Sequence, residues 1–399
     1  MKKFFLNQQT QRSIGIFLII IGISIAVYAF YQNSQYSQIT RTFSTYTVLE
    51  SSWQKYLLEY GNSQGRIIDY SDNSTTTSEA MSYALLREVI IDDKTDFDLS
   101  WKWTETNLKQ PTGYLFAWQW GKYGKKYGCL PNGGCNSSTD ADEDIALALI
   151  LAGHRWSQDS YIEDARKILP DIYKDETDVI QGKRYVVAGT WAIRKDNDVI
   201  NVSYFRPASY RIFATIDMDK NDNWNSLIAP SYDLLNKSSN LKAYHGSGVA
   251  PDWITLTRIG QILPPYDTGF TMNDGYDAMR VPFFVALDWI WFKDPLALNY
   301  LKTNYKIYDT TFKSTGKLPA IYGYDGSIVN GSEDPTRYAT ALPYFMIIDP
   351  KEANNIYQNK IIKLYSNGNN SFDNSLSYYP QNYLWLSTAL YKGFFIDYK

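Results

Sequence analysis

Along most of the chain, apolar residues recur every three to four positions between short polar interruptions. That spacing is the signature of helices with one buried face. It predicts helices over residues 48–61, 75–91, 95–108, 140–156, 160–173, 206–216, 230–239, 282–292, 296–305, 341–348, 352–365 and 384–395. Several open on hydroxyl or acidic residues and stop at Gly, as capping requires. Only residues 183–191 (KRYVVAGTW) read as a short strand. No repeat of fixed period stands out, which argues against a solenoid. A dozen helices in antiparallel pairs fit a closed toroid of six pairs, an all-α (α/α)6 barrel.

The first 45 residues break this pattern. Residues 14–31 (IGIFLIIIGISIAVYAFY) carry no charge, Lys2, Lys3 and Arg12 precede them, and the next charge is Arg41. Eighteen apolar residues span about 27 Å as a helix, close to the hydrocarbon core. The basic flank stays inside, so residues 1–13 read as a cytoplasmic segment, 14–31 as a transmembrane anchor and 32–45 as a polar stalk. A cleaved signal peptide is the competing reading. Both readings export the body. No Pro/Gly/Ser-rich linker divides residues 46–399, so they form one domain, expected at the outer face of the cell membrane as a monomer.

Composition narrows the chemistry. The chain has 399 residues, of which 12 Trp, 34 Tyr and 18 Phe make up 16 %. Such a load of flat rings suits a large core, and it also suits a cleft that stacks on pyranose faces. A net charge of −3, with no phosphate-cradling loop, argues against a nucleic-acid partner. With His154 and His245 the only histidines and Cys129 and Cys135 the only cysteines, a multi-ligand zinc site is nearly excluded. Neither histidine lies near a nucleophile elbow. Acid–base work therefore falls to carboxylates, without metal or organic cofactor. The cysteines sit in YGCLPNGGCNSS, where export favours a disulfide over two free thiols.

Three segments place carboxylates at the starts of apolar helices. In Thr77-Ser78-Glu79-Ala80, capping alone explains the residue types. A helix start also lowers a carboxyl pKa, so a catalytic acid at Glu79 needs burial or a neighbouring carboxylate to raise it. In Thr139-Asp140-Ala141-Asp142-Glu143-Asp144, four acids exceed what a cap requires, and no EF-hand pattern accounts for them. Asp140 packed on Glu79 would supply an upward shift. In Gly275-Tyr276-Asp277-Ala278-Met279-Arg280-Val281-Pro282, Pro282 suits the first helical turn. Asp277 is left on the loop before it, with Arg280 as an ionic partner.

Taken in order, TTTSEAMSYALL, LFAWQW, TDADEDIALALILAGHRW, VSYFRPASYRIF and YDAMRVPF resemble glycoside hydrolase family 8. The resemblance implies an (α/α)6 barrel and inverting hydrolysis of a β-1,4-linked glucan. It implies Glu79 as proton donor, Asp277 as general base, Arg280 as its partner, Asp140 as the acid that binds sugar at the cleavage subsite, and Tyr204 as the holder of the attacking water. Trp118, with Tyr83 and Tyr276 of the flanking motifs, is expected to contact substrate. Chitosan, xylan or a secreted exopolysaccharide are alternative substrates, and a silent glycan-binding protein of polysaccharide secretion is the rival of another class. Ala80 stands where the family usually has Gly, and the cysteine loop looks like an elaboration beside the cleft.

Overall fold

A computed structural model describes residues 46–395, apart from 220, 221 and 374. The proposed anchor and stalk lie outside the described residues. Among the described residues no helix is long and apolar enough to cross a membrane. The chain divides after Glu50 into two units, and the architecture below is that of Ser51–Lys399.

Helix α1 covers residues 51–60 of this unit. It is followed by α2 (Ser78–Ile90), α3 (Lys94–Asn107), α4 (Thr139–Trp156), α5 (Asp159–Asp175), α6 (Pro207–Ile216) and α7 (Ile228–Ser239). Then come α8 (Val281–Phe292), α9 (Pro295–Thr303), α10 (Lys306–Thr315), α11 (Pro335–Ile348), α12 (Pro350–Ile356) and α13 (Tyr378–Tyr391). Helices α2, α4, α6, α8, α11 and α13 touch one another in that cyclic order, and α13 returns to α2. A closed ring of six inner helices results, as an (α/α)6 barrel requires.

Sequence explains which helices lie inside. In α2, 12 of 13 residues are buried, including Arg87 and Glu88. In α5, only Tyr161, Ala165, Ile168, Leu169, Ile172 and Tyr173 are buried, on one face of 17 residues. A helix apolar all round belongs in a core, and an amphipathic one belongs on its outer shell. Each large apolar side chain so buried contributes about 1.5–3 kcal/mol. The inner and outer layers meet closely at Gly153, where a Cβ would fall 2.5 Å from Ile162 Cδ1. Where an inner helix carries a charge, aromatics cover it: the Arg87 guanidinium lies 4.4 Å from the Trp53 ring and 4.9 Å from that of Trp385.

Strands are more numerous than the sequence reading expects. The loops fold into small antiparallel sheets: β1 (Thr76–Thr77), β2 (Gln119–Tyr123) and β3 (Lys126–Cys129); β4 (Thr177–Ile180) and β5 (Lys183–Val186); β6 (Asn197–Asn201), β7 (Trp253–Thr257) and β8 (Ile262–Leu263). Two further two-stranded ribbons occur later in the chain. Strands of two to five residues show too few alternations to register as a period of two. Helix α10 also escapes the sequence reading, because only Tyr308 and Phe312 of its ten residues are buried. The predicted helix over 352–365 breaks at Tyr357 into a π turn and then a 3-10 turn.

Candidate active site

The inner helices present their N-terminal ends to a common cleft. Thr77 caps α2, its hydroxyl accepting from the Ala80 amide at 3.0 Å. Thr77 therefore takes the capping role, and Glu79 follows in the first turn. Asp140 stands in the first turn of α4. Tyr204 ends a 3-10 turn before α6, and a second 3-10 turn, Ala278–Arg280, leads from Asp277 into α8. Pro282 occupies the first turn of α8, as predicted.

One guanidinium organises these groups. Arg280 Nη1 donates to Glu79 Oε2 and to Asp140 Oδ2, both at 3.0 Å. Nη2 donates to Asp277 Oδ1 at 2.8 Å and to Ser203 Oγ at 2.8 Å. Arg280 is thus the partner of three carboxyls, not of Asp277 alone. Asp140 is fixed further by Ser138 Oγ at 2.7 Å and its neighbour's amide, Ala141 N, at 2.9 Å. The Tyr204 hydroxyl lies 3.4 Å from that of Ser138, and its ring faces the Arg280 guanidinium at 5.5 Å.

Glu79 and Asp277 keep 24 % and 32 % of their side-chain surface, whereas Arg280 keeps 2 %. Burial at the cleft floor pushes the Glu79 carboxyl up from its ordinary 4.5 to about 7. Arg280 opposes that rise, the carboxylates of Asp140 and Asp277 add to it, and the Tyr378 hydroxyl, donating to Oε1 at 3.2 Å, opposes it. Asp140 does raise this group, as the sequence reading requires, but desolvation is the larger cause. One cation among three carboxyls leaves one of them best accommodated neutral.

Glu79, Asp140, Tyr204, Asp277 and Arg280 line one open cavity with Trp118, Ser138 and Tyr378. Trp118, Ser138 and Tyr204 also line a second, apolar cavity with Trp191, Trp253 and Phe270, so the two form one cleft. Trp253 and Phe270 stack at 4.0 Å with 6° between their planes. Trp118 is 38 % exposed, and its Nε1 donates to Gly133 O at 2.8 Å. Gly133 belongs to the loop closed by the Cys129–Cys135 disulfide, so the elaboration does wall the cleft.

Two expected substrate contacts fare differently. Tyr276 is exposed, its hydroxyl donating to Asp334 Oδ2 at 3.0 Å. Tyr83 does not reach the cleft. It is 1 % exposed, one turn further along α2 than Glu79, and shares a 2.8 Å hydrogen bond with Tyr383. A helical residue four positions on lies on the same face but 6 Å deeper, below the floor.

The other acids of the α4 start are spent in the core. Asp142 Oδ1 accepts from Phe116 N at 3.0 Å, and Asp144 forms a buried two-point pair with Arg206 at 3.0 and 3.2 Å. Ser203, Trp253 and Tyr378 escape the sequence reading as site residues. Ser203 lies inside VSYFRP and Tyr378 just before a proline at a helix start; Trp253 carries no local signal.

A buried guanidinium shared by three carboxyls thus stands beside an aromatic trough on an α-helical ring. The sequence model of the glycosyl hydrolases family 8 matches residues 23–385. The chain belongs to that family. It is therefore a glycosidase. It is 29 % identical over 357 residues to endoglucanase C of Ruminiclostridium cellulolyticum, covering 86 % of this chain and 72 % of that one. The fold is shared with the β-1,3-1,4-glucanase of Paenibacillus sp. X4, at TM-score 0.73, 19 % identity, and coverage of 90 % and 94 %. It is shared also with the endo-1,4-D-glucanase of Vibrio fischeri ES114, at TM-score 0.71, 24 % identity, and coverage of 85 % and 94 %.

Proposed function

We propose that the protein is an inverting, endo-acting hydrolase of a β-1,4-linked glucan. The observation that carries this reading is the Glu79 carboxyl, raised to about 7 and set opposite Asp277 on one arginine. Arg280 donates to Glu79 Oε2 and Tyr378 to Oε1, and Oε1 keeps a further lone pair to hold the proton and deliver it to the glycosidic oxygen. Asp277, on the other terminal nitrogen of Arg280, removes a proton from water attacking the anomeric carbon from the opposite face, with Tyr204 beside it. An inverting pair needs about 6.5–9.5 Å between carboxyls to admit that water; Glu79 and Asp277 bind different terminal nitrogens of Arg280. Asp140 binds the sugar at the cleaved bond, and Trp118 with the Trp191–Trp253–Phe270 trough stacks the chain.

The names of endoglucanase C and of the two glucanases of like fold support the β-glucan. Incubation with cello-oligosaccharides and NMR of the first-formed anomer tests the reading. The α-anomer is expected; the β-anomer overturns inversion, and no cleavage of any β-glucan overturns the substrate class. We further propose that residues 14–31 hold the enzyme at the outer face of the membrane, on the strength of their 18 uncharged residues behind Lys2, Lys3 and Arg12. Full-length protein should sediment with membranes and be shaved by external protease. Release of a soluble body beginning near residue 32 would point to a cleaved leader instead.

A further inference from the structure

Asp277 is held from behind by Trp253, a ring of the trough, and by Asp252 and Asn201, to which no role in the reaction is assigned. Strands β6 and β7 pair in register, with Asn201 opposite Trp253, and both ends run into the site. From β6, Asn201 Oδ1 accepts from Ser203 N at 3.0 Å and Ser203 Oγ at 2.7 Å. This fixes Ser203, whose oxygen receives Arg280 Nη2. From the start of β7, Trp253 Nε1 donates to Asp277 Oδ2 at 2.9 Å. The residue before it, Asp252, sits under the loop that carries Asp277. One carboxylate oxygen, Oδ1, accepts three amides of that loop: Gly275 N at 3.1 Å, Asp277 N at 3.1 Å and Ala278 N at 2.7 Å.

Little freedom is left to this contact. Asp252 is 8 % exposed. A Cβ on Gly275 would fall 2.4 Å from Asp252 Oδ2, so the glycine is what lets the loop close over the carboxylate. The Asp252 and Trp253 amides are themselves tied to Asn273 O at 2.8 Å and Thr271 O at 3.0 Å. The Trp253 indole is pinned by its stack on Phe270.

We propose that the Asp252–Trp253 pair positions the catalytic base, Asp252 by gathering the backbone of its loop and Trp253 by fixing the rotation of its carboxylate. This rests on the reading of Asp277 as base. Oδ1 is taken by Arg280 and Oδ2 by Trp253, so the carboxylate plane is set by two donors from different elements. Each oxygen keeps a second lone pair for the attacking water. Glu79 receives nothing from either residue. A loose base misdirects water without loosening the sugar, and an ångström of misplacement costs about 10²-fold in rate.

The test compares Asp252→Ala, Asp252→Asn and Trp253→Phe with Asp277→Asn, each checked for a cooperative thermal transition. Phe keeps one ring in the trough and removes the indole N–H together with the second ring. Asn keeps the Oδ1 acceptor, and Thr271 Oγ1, 3.4 Å from Oδ2, can accept its new N–H. Asp252→Ala should lower kcat about 10²-fold with KM within twofold. Asp252→Asn should restore kcat to within tenfold of the parent, and Trp253→Phe should lower kcat about tenfold at unchanged KM. Should Asp252→Ala fail to fold, Trp253→Phe decides alone. Unchanged kcat in folded Asp252→Ala or Trp253→Phe, beside an inactive Asp277→Asn, overturns the positioning role. Loss confined to KM overturns it as well. An active Asp277→Asn overturns the base assignment, and the proposal with it.

Discussion

Glu79 and Asp277 face the same cation at nearly the same distance, 3.0 and 2.8 Å, yet their surroundings part company. Glu79 stands at the start of an inner helix, and its only other side-chain donor among the described residues is the Tyr378 phenol, 3.2 Å away. Burial therefore outweighs the arginine, and the carboxyl is raised to about 7. Asp277 stands on a loop and meets a donor at each oxygen, Arg280 and Trp253. A shared ion pair does not assign roles; what else touches each carboxyl does. An acid must carry a proton near neutral pH, and a base must offer aligned lone pairs.

The widest break in this comparison comes from removing each carboxylate. Glu79→Gln and Asp277→Asn should each cost about 10²–10⁴-fold in kcat on cello-oligosaccharides. On a substrate whose leaving group needs no proton, such as a glucosyl fluoride, Glu79→Gln should recover most of the loss and Asp277→Asn none. Equal recovery in both would erase the distinction drawn between them. Next in size is Arg280→Lys. An ammonium keeps the charge but not the fork that reaches three carboxyls. We expect about a 10²-fold loss in kcat, since both proposed catalytic groups lose alignment. Steady-state rates with a melting curve check this, and near-parental activity would show that charge alone suffices.

These contacts also show what the sequence could reveal. Helices of the inner ring announce themselves through apolar positions and caps, because burial on all sides constrains 12 of the 13 residues of α2 and 15 of the 18 of α4. Glu79, Asp140 and Asp277 were legible because their segments occur in a family's order. Burial was not legible: the sequence shows the helix start that lowers the Glu79 pKa but not the walls that raise it. Nor was the meeting of Trp253 with Asp277, 24 positions away, or of Tyr378 with Glu79, 299 positions away. Trp253 sits on a five-residue strand too short to show a period, and Tyr378 reaches Glu79 because the ring closes with the start of α13 beside that of α2. Tyr83 failed for the opposite reason, since a motif neighbour of Glu79 on a helix need not share its depth.

A smaller effect sharpens the Glu79 side. Its pKa in the folded enzyme is raised to about 7; in the proposed donor role it loses its proton above that pH, and activity should fall tenfold per unit there. The Tyr378 hydrogen bond stabilises the charged form and lowers the value. Tyr378→Phe removes it, so the alkaline limb of kcat/KM should move upward by a fraction of a pH unit while the acid limb stays. A downward move would mean that Tyr378 accepts the Glu79 proton rather than donating.

The smallest effect is expected at Tyr83, and it marks the lower boundary of the site. Its phenol meets Tyr383 at 2.8 Å inside the ring, and the two rings meet edge to face at 5.4 Å. Tyr83→Phe leaves the ring in place and removes one buried hydroxyl. The Tyr383 hydroxyl loses its partner, at a cost of about 1 kcal/mol, with a net hydrogen bond worth about 0.5–1.5. Glu79 loses no donor, because its hydrogen bonds come from Arg280 and Tyr378. Thermal unfolding should therefore register the change while kcat and KM do not. A rise in KM for long cello-oligosaccharides would mean that substrate reaches one helical turn below Glu79, and the cleft floor drawn here would be too shallow.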